Sequence, residues 1–227
     1  MAHLSLSDAS LSTLSSETSD DLGTVGSGDF DETVSEDDGG ENFHQDAVSS
    51  VLDGLKENLS ADVVQLELVG LRMSANASEH NVRRAVVTAF MKYIQQVIED
   101  GSTGPAEAVK KLFTKYKDIV DRIVFDRNSD DKPDQVDLLL LFQQDLTLAD
   151  RKRAEAVLLF TAKELYDLEI VDEEAFSQWW EDERSTSSEA MKKVRMQTQA
   201  FIDWLESADS ESESDDDDDE DEDEESD

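Results

Sequence analysis

The chain has 227 residues, a formal charge of −37 at pH 7 and no cysteine. Disulfides are therefore excluded, and the charge argues against direct nucleic-acid binding, which needs Lys and Arg to displace phosphate counterions. No run of about 18 apolar residues occurs, so no segment reads as a membrane span.

The charge is unevenly spread. Residues 1–45 hold 11 acidic residues and no Lys or Arg; residues 209–227 hold 15 acidic residues with only Ser between them. The segment 46–208 carries nearly all the large apolar side chains, enough for one core. A basic partner is expected: a lysine-rich segment, or a protein that itself binds nucleic acid.

Residues 1–45 are rich in Ser, Asp, Glu and Gly without apolar period. They read as a disordered acidic linker from a domain upstream. From Asp46 the spacing turns helical, with Ala47, Val48, Val51, Leu52 and Leu55 three to four apart. Ser60 is placed to cap a helix over 61–73, and Ser78 one over 79–99. Pro105 suits the first turn of a helix reaching Phe125, and Pro133 the start of one reaching Asp145. Thr147 is placed to cap a helix over 148–168 that carries Ala154, Val157, Leu158, Leu165 and Tyr166. Asp172 caps a short helix to Glu183, and 189–206 forms the last. The prediction is all-α: a HEAT-like stack of about eight antiparallel helices over 46–208, with disordered acidic ends at 1–45 and 209–227.

Three stretches bear on function. In 62–76, Glu67 lies against apolar positions Val63, Val64 and Leu71 with no Lys or Arg three or four residues away. It is either a boundary carboxylate that reaches solvent or a contact point for a partner's cation. In 166–183, Phe176, Trp179 and Trp180 stand three and four apart, among Asp172, Glu173, Glu174, Glu181, Asp182 and Glu183. Successive Trp residues point about 100° apart on a helix, so the stretch is either a core helix with one Trp at its edge or an aromatic hot spot for a basic peptide. The third stretch is the last helix with its tail. Met191, Val194, Thr198, Phe201 and Leu205 form a stripe, and Trp204 is either core or rim. The tail is a self-repelling solvated run or a charged arm; Ser210, Ser212 and Ser214 each have an acidic residue three positions on, which suits an acid-directed kinase. His3, His44 and His80 are far apart, and neither a phosphate loop nor a nucleophile motif occurs. No metal, cofactor or covalent chemistry is expected.

FIDWLESADSESESDDD, at 201–217, strongly resembles the terminal aromatic-acidic box of the W2-type HEAT domains in translation initiation factors. LYDLEIVDEEAFSQWW, at 165–180, resembles their upstream box. LELVGLRMSANASEHNVRRAVV, at 66–87, resembles the epsilon-subunit family of initiation factor 2B. The resemblance covers about 46–227. It implies the catalytic segment of a guanine-nucleotide exchange factor that makes no covalent bond and works in the cytoplasm. That segment would release GDP from initiation factor 2 by binding its gamma subunit and the lysine-rich tail of its beta subunit. The family's essential Glu falls on Glu67 and its essential Trp on Trp204, both catalytic for exchange; Glu173, Glu174, Trp179, Trp180, Glu181, Asp182, Asp203 and Glu206 fall in the partner-binding boxes. The family's nucleotidyltransferase-like and β-helix domains are not in this sequence. The expectation is therefore a carboxyl-terminal piece that meets the other exchange-factor subunits only through those domains. The alternative is a non-catalytic module, as in initiation factor 5, docking the same tail; a scaffold of the initiation factor 4G type is disfavoured by the acidic terminal box.

Overall fold

In the computed structural model the described residues are 38–124 and 132–212. Among them the chain is all-helical: α1 (Asp38–Lys56), α2 (Ala61–Ala75), α3 (Glu79–Glu99), α4 (Pro105–Val124), α5 (Lys132–Leu146), α6 (Ala154–Asp167), α7 (Glu173–Glu181), α8 (Glu189–Arg195) and α9 (Gln199–Ser212), with 3₁₀ turns at Glu183–Thr186 and Met196–Thr198. None is long and apolar enough to cross a membrane.

Local chemistry sets several of these starts. Ser78 Oγ accepts from the Asn81 amide at 3.2 Å and Asp172 Oδ1 from Ala175 at 2.8 Å, each satisfying an amide with no intrahelical partner. Ser188 does the same for Met191. Ser60 occupies the cap position of α2 but makes no side-chain cap bond.

Helices two apart in sequence pack together: α1, α3, α5 and α7 form one layer and α2, α4, α6 and α8 the other. Successive pairs α1–α2, α3–α4 and α5–α6 close the layers on each other, the arrangement of a HEAT-like stack. Phe90, Phe113 and Phe142 tie α3, α4 and α5 through ring contacts of 5.6 and 5.7 Å. Arg83, also buried, bonds Asp137 at 2.8 Å, Asp134 at 2.7 Å and the Ile123 carbonyl at 3.1 Å, so its charge is matched.

The expected boundaries move in four places. The leader assigned to 1–45 ends early: α1 begins at Asp38, and Phe43 is only 4% exposed. Phe43 extends the apolar stripe of Ala47, Val51 and Leu55 by one turn, a signal masked in the sequence by its acidic surroundings. Residues 1–37, with the rest of that leader, lie outside the described residues, as do 213–227 of the expected tail. The helix expected from Leu148 starts instead at Ala154. Arg151 turns inward to bond Asp145 at 2.7 and 2.8 Å, Gln95 Oε1 accepts from the Lys152 amide, and Arg153 adopts φ 55°. Thr147 thus closes the end of α5, donating to the Gln144 carbonyl, rather than capping α6. The single last helix is two, α8 and α9, divided by a 3₁₀ turn at the fully buried Thr198, and α9 runs six residues past Glu206.

Candidate functional site

The α2 helix buries only Val64 and Leu68. Its outer side carries Val63, Leu66, Val69 and Met73, with Leu66 74% and Met73 78% exposed. Spacings of three and four put Val63, Leu66, Glu67, Gly70 and Met73 along one outward face. Glu67 is exposed at the centre of this ridge, and Ser50 Oγ on α1 donates to its Oε2 at 2.9 Å. The helices come this close because residue 54 is glycine: a Cβ there would lie 2.7 Å from Val64 Cγ2. At its far end Asn76 takes the left-handed conformation and ends the helix, while Arg72 pairs with Glu79. Sequence reasoning found Glu67 but missed Leu66, Met73 and Ser50, because periodicity alone does not say which apolar face of a short helix is left uncovered.

The α7 region divides the aromatic box. Trp179 is 0% exposed, and its Nε1 donates to Gln143 Oε1 at 2.9 Å. The Gln143 amide in turn donates to the Ser185 and Met191 carbonyls at 2.8 and 2.9 Å. Trp179, expected at the partner surface, is instead buried in the core. Trp180 is the edge residue, half-buried, with the Arg195 guanidinium 4.0 Å above its ring. Asp182 is engaged as well: its carboxylate accepts from the Arg184 backbone and guanidinium, and these bonds hold its pKa below the usual carboxylate value. Glu181 and Glu174 remain exposed, although Glu174 pairs with Lys132.

On α9, Phe201 is buried and Asp203, Trp204 and Glu206 are exposed, Trp204 by 52%. The indole stacks on Phe201 with centroids 6.0 Å apart and meets Tyr166 edge-on at 5.9 Å. Tyr166, at the end of α6, also donates its hydroxyl to Glu173 at 2.7 Å, and that bond raises the phenol's pKa. One tyrosine thus joins the two acidic boxes, a junction the sequence signalled only as a stripe position. Ser210 and Ser212 fall on the last turn of α9, with their side chains outside the described residues; Ser214 lies outside entirely. Glu67 and Trp204 are not brought together: α2 packs on α1 and α4, α9 on α7 and the preceding turn, at opposite ends of the stack. Among the described residues no cluster of His, Asp or Glu is arranged to hold a metal ion.

Residues 134–215, from α5 through α9, match the family model described as W2: eIF4-gamma/eIF5/eIF2-epsilon. The chain carries a W2 domain of the translation initiation factors. The translation initiation factor eIF2B subunit epsilon of Schizosaccharomyces pombe is 31% identical over 219 residues, 92% of this chain and 29% of the relative. That share is too large for the W2 match alone, so the likeness extends into α1–α4. The chain spans under a third of that relative's length. Trp179, Trp180 and Trp204 all belong to the W2 domain, whereas the α2 ridge precedes its matched residues.

Proposed function

We propose that this chain is the catalytic segment of a guanine-nucleotide exchange factor for translation initiation factor 2. In this reading the α2 ridge contacts the gamma GTPase subunit in the cytoplasm, and the acidic surface of α7 and α9 holds the lysine-rich tail of the beta subunit. The observation that carries it is the exposed apolar face around Glu67: Leu66 and Met73 contribute nothing to the core, which is how a protein-contact surface is built. An exchange factor of this kind makes no covalent bond and lowers the energy of the nucleotide-free GTPase relative to the bound one. Leu66 and Met73 would supply the apolar area, and Glu67, held by Ser50, would compete for a cation in the nucleotide pocket.

The W2 match favours a second reading, a docking module without exchange activity, because the matched family also spans eIF5 and leaves out the α2 ridge. Release of fluorescent GDP from purified factor 2, with and without the chain, separates the two. Acceleration that is lost in Glu67→Lys and in Leu66→Asp supports exchange through α2. Salt-sensitive binding of the tail without acceleration reduces the chain to a docking module.

A further inference from the structure

Between α6 and α9 runs a groove of about 490 Å³ floored by Leu159, Phe201 and Trp204, with Lys163 and Asp167 at its mouth. Across Tyr166 lies a second cleft, of about 550 Å³, edged by Glu169, Asp172, Glu173 and Glu174. The same phenol ring walls both: it meets Trp204 in a T-shaped contact, and its hydroxyl bonds Glu173. We propose that the α6–α9 groove takes one apolar side chain of a basic segment, whose flanking lysine turns past Tyr166 into the acidic cleft. The preferred partner sequence is then not a pure lysine run but lysines beside a leucine-like residue. This rests on the reading that the partner tail is lysine-rich and adds what the groove selects within it.

Three observations support this occupant. Trp204 leaves half its indole in water although it is stacked and edge-packed, so its outer face is preformed for a contact at little further ordering cost. Four carboxylates, Glu169, Asp172, Glu173 and Glu174, line the acidic cleft against one lining cation, Lys132, so the cleft stays net negative and favours an ammonium. Finally, the aromatic groove is lined chiefly by Leu159, Ala200, Phe201 and Trp204, and its two charged lining residues, Lys163 and Asp167, offset each other, which favours an uncharged side chain there. The two halves thus sort the segment by charge: apolar side chain to α9, lysine to α7.

The test uses two fluorescein-labelled peptides of equal charge, one a lysine block interrupted by serine and the other identical but with leucine for that serine. Anisotropy with the whole chain at moderate salt should show the leucine peptide binding roughly tenfold tighter, about what burying one such side chain against an aromatic floor supplies. Trp204→Ala should bring the two peptides within about twofold, on the same area argument. Ala200 is exposed on the groove wall, so Ala200→Arg should fill and charge the groove without touching the core and remove the preference too. Glu173→Gln should weaken both peptides alike. Equal affinity for the two peptides in the unaltered chain, or a preference that survives both groove variants, overturns the proposal while leaving lysine-tail binding intact. Binding of neither peptide overturns the groove and the tail reading together.

Discussion

The Ser50 hydroxyl on α1 donates to Glu67 on α2 across 2.9 Å, so the carboxylate at the centre of the exposed ridge is aimed by the neighbouring helix. An exposed glutamate otherwise samples several rotamers, and holding one costs conformational entropy that the hydrogen bond offsets. Ser50→Ala should leave the melting temperature nearly unchanged, because a half-exposed hydrogen bond contributes little to folding. GDP release should slow by roughly three- to tenfold, the scale of one lost positioning bond of about 1 kcal/mol. A wild-type exchange rate in a folded Ser50→Ala chain would show that the aim of Glu67 does not matter.

Trp179 and Trp204 should separate cleanly in stability measurements. Trp179→Ala removes a fully buried indole and leaves Gln143 without its donor, so a loss of about 3–5 kcal/mol is expected. Trp204→Ala removes a half-exposed ring and should cost about 1 kcal/mol or less. Urea titration of both variants checks this. Similar losses would mean that Trp204 is as structural as Trp179.

The first turns of α1 are integral to the fold. Phe43→Ala should destabilise by about 3–4 kcal/mol, the usual range for a large core deletion, with chemical denaturation as the measurement.

His44, beside Phe43, has a pKa lowered chiefly by burial and further by Arg84. The folded chain therefore holds a proton on His44 less readily than the unfolded chain does. Stability contributed by the neutral imidazole is present above pH 6.5 and is lost as pH falls below 6.5 through the lowered folded value. Melting of the unaltered chain should weaken across that window more steeply than melting of His44→Gln.

The Tyr166 phenol titrates above its ordinary value of 10.0, chiefly because it donates to Glu173. The raised value means the protonated phenol stabilises the fold below pH 10, and the contribution disappears as pH climbs through the folded value. Absorbance titration of phenolate should show one tyrosine moving to lower pH in Glu173→Gln. An unchanged curve would mean that Tyr166 and Glu173 are not bonded in solution.

Much of this protein was legible in its sequence. The three-to-four spacing of apolar residues, the Ser78 and Asp172 caps and the prolines at helix starts specify an all-helical chain, because these signals act within one or two turns of backbone. The WW pair was legible only as an alternative, a core helix with one edge Trp or an aromatic hot spot: successive positions on a helix cannot share a face, but nothing local says which one is covered.

What lay beyond the sequence depends on which neighbour covers a surface. The open side of α2 went unread until the stack left Leu66 and Met73 uncovered. The turn at 147–153 reads as helix until Arg151 finds buried Asp145. The junction at Tyr166 joins segments distant in the chain. By itself the sequence determined the all-helical class, the Ser78 and Asp172 caps and the strong negative charge, since those are set by local spacing and composition. Only the tertiary structure decided which apolar residues face solvent, that Trp179 is buried while Trp204 stays half exposed, and that Glu67 and Trp204 lie at opposite ends of the stack. Those outcomes follow from packing between helices, and no local pattern encodes which face will find a neighbour.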